Sequence, residues 1–388
     1  MRIHEPQLTV DGDTATFQAR IELAKQRERF PDCVWFKFPR HFEPLLAGGA
    51  EPFVFGVSSL ASLHNEPIVV TTPISERLSV GLEEYWNIFS LWFPGRLHPV
   101  ELSCSTIAAE APALPNAATL FSGGVDSFFT LYRGLDRPPT HRVRYALFIH
   151  GFDIPLSDRR TYEAAAAAYE RSLGDLGVEL IRVETNLRAF IPNTNWELGH
   201  GSALIGTALT LAGAVRRFYV PSSKSYTTLE PHGSDPLIDG LLSTDRLQII
   251  HDGARYTRFD KLRAMRDWEV VRRLLRTCYE HPEAFHNCGN CSNCRRTMMV
   301  LAAIGVLDEY KTFGPIGSPL HFINTSWKTP HERLFGRQLI SHAASNGRVR
   351  LAWVGRMAMQ TSLVGLGWRK LKVWSRPYRH RLIRRRLS

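Results

Sequence analysis

The sequence predicts an α/β fold: a parallel, twisted sheet with flanking helices. A β-rich α+β segment precedes it, and a four-cysteine knot and a helical basic tail follow. Three observations carry this expectation. From residue 116 onward, short apolar runs alternate with helical patterns, the rhythm of strand–helix–strand units with right-handed crossovers. Before Pro115 the runs are short, alternate with polar residues and are bounded by Pro and Gly. Four of the six cysteines crowd between Cys278 and Cys294. The expected domains are 1–115, 116–310 and 311–388.

In the first segment, "QLTVDGDTATFQARIEL" alternates around an Asp-Gly pair, a hairpin signal. "CVWFKFP", "PFVFGV" and "PIVVTTP" read as strands, "GLEEYWNIFSLWF" as a helix, and "HPVELSCSTI" as strand again. "AAEAPALPNAA" has the composition of a linker. Beyond it, "ATLF" is a strand and "SFFTLYRGL" a helix. "YALFIHGF" is a buried strand and "TYEAAAAAYERSLGDLG" a helix stopped at Gly177. "VELIRVE", "HGSALIGTALTLAGAV" and "RRFYVPSS" continue as strand, helix and strand. Ligands of such sheets bind beyond the carboxyl ends of the strands.

One of those ends carries Ser122, Gly123, Gly124, Val125, Asp126 and Ser127. Two glycines permit positive φ and a close approach of backbone to ligand. Successive N–H groups and the start of the next helix then favour an anion. Ser122 and Ser127 add hydroxyl donors, and Asp126 can cap the helix or help hold a cation. A plain capped turn is the competing reading. The GxxxxGK[ST] phosphate loop is excluded because no lysine follows.

"SGGVDS" resembles the SGGxDS loop of the PP-loop ATP pyrophosphatases, with every fixed position present. The resemblance implies a HUP-like PP-loop domain that binds ATP with Mg²⁺ and releases pyrophosphate. It also implies an adenine contact at the end of the next strand, here Phe148, His150 and Gly151.

Cys278, Cys288, Cys291 and Cys294 form Cys-x9-Cys-x2-Cys-x2-Cys. Four thiolates at this spacing can enclose Zn²⁺ tetrahedrally, as a closed structural site. Gly289 relieves the tight turn, and Arg295 and Arg296 stand near the thiolate charge. His281 or His286 can replace one ligand, and an iron–sulfur cluster is the alternative occupant. Cys33 and Cys104 are solitary and read as buried thiols. A PP-loop domain followed by this pattern resembles 7-cyano-7-deazaguanine synthase and its relatives over about Asn116 to Val306. The resemblance implies a ligase that adenylates a small carboxylate and lets ammonia or an amine attack. The extra N-terminal segment, the basic tail, "WELGHGSALIG" and "PSSKSYTTLEPHGSDPLIDGLLSTD" depart from that pattern and leave the acceptor open.

At the same expected edge, Lys224 can neutralise charge developing on the α-phosphate. Asp235 and Asp239 can bind Mg²⁺ or orient a nucleophile. A solvated loop with capping aspartates is the alternative. His200 and Gly201 are expected to open a helix as an anion contact or cap. Of His251, Asp252, Arg258 and Lys261, some can face the substrate, and most read as surface or helix-end groups.

The formal charge of +11 lies in the tail. Arg348 to Ser388 holds twelve Lys and Arg and no acid, so everything before it carries −1. That tail, with Trp353, Trp368 and Trp374, can meet nucleic acid or an anionic membrane, or dock as a helix. A nucleotide- or RNA-binding module without catalysis and a tRNA-thiolating enzyme are the other function classes, and a homodimer is possible. Hydrophobic content of 44% and charged content of 22% are those of a globular protein, and no apolar signal core opens the chain. The expected location is cytoplasmic.

Overall fold

A computed structural model of the protein describes residues 1–23, 30–108, 116–191, 196–278, 280 and 286–362. Two compact units are present. One comprises Met1–Arg255 with Leu274–Arg276; the other holds Tyr256–Arg273, Thr277, Cys278 and the described residues from His286 on.

In the first unit the chain opens with β1 (Arg2–Ile3), β2 (Gln7–Asp11), β3 (Thr14–Glu22) and β4 (Cys33–Pro39). The helix α1 (Glu51–His64), β5 (Ile68–Val70), β6 (Ile74–Ser75), α2 (Glu76–Trp92), β7 (Leu102–Ser103) and β8 (Thr106–Ile107) follow. The strands β2 and β3 make the expected hairpin, with Asp11 opposite Thr14 and Gly12 at φ +53° in the turn. Alternate residues of β3 are buried, so its register is fixed by one apolar face.

Strands and helices then alternate as β9 (Ala117–Leu120), α3 (Val125–Leu135), β10 (Val143–His150), α4 (Arg159–Gly174) and β11 (Glu179–Thr185). The series ends with α5 (Trp196–Leu209), β12 (Arg217–Pro221) and β13 (Gln248–Asp252). The sheet order is β13-β12-β9-β10-β11-β4-β3-β1-β5-β7, and all pairs from β13 to β11 are parallel. All four residues of β9 are buried, as a central parallel strand requires. The order reverses around β9, which pairs with β10 on one side and β12 on the other. The crevice beyond its carboxyl end is the topological switch point.

The first unit runs through the composition change at Pro115 because of strand pairing. Lys37 and Phe36 of β4 pair antiparallel with Glu184 and Thr185 of β11, so the N-terminal hairpin extends the parallel sheet. "PFVFGV", expected as a strand, lies inside α1 and is wholly buried. A short apolar run does not distinguish a buried strand from a buried helix. Here Pro52 sits at the helix start, and Gly56 lets α1 press against α5. A Cβ on Gly206 of α5 would stand 3.0 Å from the Gly56 Cα.

The second unit contains α6 (Arg258–Ala264), α7 (Glu269–Leu274), α8 (Ser292–Ile304) and α9 (Pro330–Ser345). Capping boxes at Thr257 and Thr329 satisfy the first amides of α6 and α9. Trp327 is fully buried, edge-on to Phe335. Among the described residues of the tail, 349–362 are helical and Trp353 is exposed. Trp368 and Trp374 lie outside the described residues. No described helix is long and apolar enough to cross a membrane.

Candidate functional site: a glycine loop at the switch point and a four-cysteine centre

The segment Ser122–Gly124 joins β9 to α3, at the carboxyl end of the central strand. Gly123 has φ +75°, and a Cβ there would fall 1.8 Å from Tyr169 Oη. Conformation and space therefore both demand glycine. Gly124 is the N-cap of α3, extended, and being glycine it brings no side chain of its own to the helix start, where the positive end of the helix favours an anion. Within the turn, Ser127 Oγ accepts from the Ser122 N–H at 3.2 Å, and Ser122 Oγ accepts from the Gly124 N–H at 3.4 Å. Both bonds are long, and a phosphate oxygen is the stronger acceptor for either amide. Asp126 is half-buried in the first turn of α3.

Residues distant in sequence complete this neighbourhood. Tyr169 of α4 packs edge-on against Phe121 and Phe148, and burial pushes its phenol well up. The Arg276 N–H donates to Gly123 O at 2.8 Å. Burial raises the Asp153 carboxyl, while the charges of Arg276 and Arg188 pull it back. No motif marks Tyr169, Arg276 or Asp153. Only the pairing of the chain around the turn reveals them.

The second expected contact is partly internal. Phe148 stacks on Tyr162 at 4.9 Å, and His150 stacks on the same ring at 4.3 Å. His150 is fully buried with Nε2 3.0 Å from Pro155 O. These rings therefore pack against α4. Gly151 sits at the strand end with φ +111°, where a Cβ would strike Thr185 O.

The polar loop after β12 forms a cluster at the same carboxyl edge. Asp239 is fully buried and accepts from the Ser234 hydroxyl at 2.7 Å and the Asp235 N–H at 3.2 Å. His251 Nδ1 lies 2.6 Å from Asp239 Oδ2. The other ring nitrogen, Nε2, is buried and has no hydrogen-bond partner among the described residues. Asp235 accepts from the Leu237 N–H at 2.9 Å, and burial raises its carboxyl. Lys224 is paired with Glu230 at 2.9 Å. Burial lowers His200, and lowers His232 to about 3.

His200 and Gly201 lie inside α5, a turn beyond Trp196, and so do not open that helix. Gly201 is required by packing, since its Cβ would meet Gly233 O at 1.7 Å. His251 and Asp252 are site-edge residues rather than surface groups; Asp252 is buried and pairs with Arg133 at 2.9 Å and with Arg137. Lys261 is buried in the second unit.

In the second unit the sulfurs of Cys278, Cys288, Cys291 and Cys294 all lie within 4.8 Å of one another. A tetrahedral ion with Zn–S of about 2.3 Å needs sulfurs about 3.8 Å apart, and Cys288 Sγ stands 3.9 Å from Cys294 Sγ. The amides of Asn290 and Cys291 donate to Cys288 Sγ, and that of Cys294 to Cys291 Sγ. Gly289 turns at φ +72°. The Cys291 thiol is pushed down to about 5, chiefly by the neighbouring Cys294 side chain, while Cys294 is pushed up by Cys291. This donor set fits Zn²⁺. Arg296 turns to Glu332, Asn293 and Ser326. His286 is outside the cluster, and His281 lies outside the described residues.

Comparison of the chain with protein-family models, with curated proteins and with solved structures gives no match in any of the three.

Proposed function

We propose that the protein is an ATP-dependent adenylating enzyme with a HUP-like PP-loop domain, similar to 7-cyano-7-deazaguanine synthase. The observation that supports this best is the "SGGVDS" turn at the switch point of a parallel sheet, with its glycine at positive φ and a helix start behind it. In this reading a carboxylate oxygen of the substrate attacks the α-phosphorus of ATP. The α–β bridging oxygen leaves with pyrophosphate. Ammonia or an amine then attacks the acyl carbon, AMP departs, and the nitrogen loses a proton.

The amides around Gly123 and Gly124 and the hydroxyls of Ser122 and Ser127 hold the departing diphosphate. Asp126 would hold Mg²⁺, which supplies charge neutralisation when bound. Lys224, released from Glu230, would face the α-phosphate, and Asp235 would orient the nucleophile. Cys278, Cys288, Cys291 and Cys294 would hold a structural Zn²⁺, since four thiolates leave no open position. None of the six cysteines is in a disulfide, which supports the reading of a cytoplasmic enzyme.

The test is incubation with ATP, Mg²⁺, ammonium and a panel of small carboxylates. One carboxylate should give AMP and pyrophosphate in equal amounts. ADP and orthophosphate as products would overturn the reading.

A further inference from the structure

A guanidinium keeps its charge in any protein environment and carries five donors. Burying one without acceptors is strongly unfavourable. Arg276 is 4% exposed, and its Nε and Nη2 are buried with no hydrogen-bond acceptor among the described residues. Its backbone is tied to the turn through the bond to Gly123 O. The Tyr169 phenol, whose oxygen fills the place of a Gly123 Cβ, feels the Arg276 charge. A buried fork with two unanswered donors therefore stands close to the turn whose N-cap, Gly124, has no side chain to offer the start of α3.

We propose that Arg276 is a phosphate ligand, binding the diphosphate that the glycine loop holds. The inference rests on the nucleotide reading above and adds to it a charged residue outside the motif. The loop amides and the positive end of α3 serve one phosphoryl group. A planar fork serves two oxygens of the next, which makes the site selective for a diphosphate over a single phosphate.

A structural arginine in the same unit looks different. Arg182 donates to both Glu163 and Glu170, so its charge is answered within the fold. Asp153 is the carboxylate that feels Arg276, but it also interacts with Arg188, and it gives Nε and Nη2 no hydrogen bond. The missing acceptors are supplied by a ligand.

The test is thermal unfolding of the full chain with and without pyrophosphate, and with ATP and Mg²⁺, for wild type and Arg276→Met. Wild type should melt several degrees higher with pyrophosphate. The pyrophosphate affinity of the variant should fall about 10- to 100-fold whatever its ligand-free melting temperature, because the substitution removes two unanswered donors and also takes a countercharge from Asp153. If Arg276→Met does not fold, Arg276→Gln carries the same comparison. A variant that folds and keeps the wild-type pyrophosphate shift overturns the assignment of Arg276 alone. Wild type with no shift from either ligand overturns the nucleotide reading together with it.

Discussion

The cysteine centre and the glycine loop were built by opposite routes. All four thiols come from one short segment, and the amides that donate to the sulfurs belong to that segment as well. The loop takes its two glycines locally, but its shape is set by Tyr169 on α4 and by Arg276. A site made by adjacent residues is complete in its spacing. A site made by a sheet exists only once the strands have paired.

The difference can be broken at either end. The largest effect is expected at the cysteines: Cys291→Ser should abolish bound zinc and unfold the second unit. Structural zinc sites contribute about 10–16 kcal/mol of apparent binding energy. Metal analysis and limited proteolysis check this, and one zinc per chain retained in Cys291→Ser would contradict it. Next, Gly123→Ala places a Cβ against Tyr169 at φ +75°. The backbone alone costs about 1–3 kcal/mol, so the melting temperature of the first unit should fall and ATP binding vanish, while the zinc content stays whole.

A smaller effect follows from acid. Native His232 takes its proton only near 3, against 6.5 for an ordinary imidazole. Between these values the unfolded chain binds the extra proton, so the contribution is full above 6.5 and is lost as pH falls toward 3. The slope is at most about 1.4 kcal/mol per pH unit for that histidine. Urea midpoints should fall less between pH 7.5 and 5 in His232→Gln than in wild type, the remaining fall including that of His200, whose imidazole is also lowered by burial, with acid release of zinc unchanged in both.

The alternation of strands and helices from β9 to β12, the hairpin at Gly12 and the cysteine knot were legible because each has a local cause: hydrophobic period, turn chemistry or ligand spacing. The strand β13 was not, since "QIIHD" offers only two apolar residues and is defined by its pairing with β12. The sequence boundary at Pro115 marks a real change in composition, yet β4 crosses it by pairing with β11. Asp239 was legible as a polar loop residue. Its bond to His251 required the fold to bring β13 beside that loop.

If the amides around Gly123 cradle a diphosphate, as proposed, competition binding will read it. With labelled ATP and Mg²⁺ bound to the full chain, pyrophosphate should displace the label at one site per chain, and AMP should do so far more weakly. If AMP competes as well as ATP while pyrophosphate does not compete, the nucleotide is held by something other than this turn, and the account is wrong.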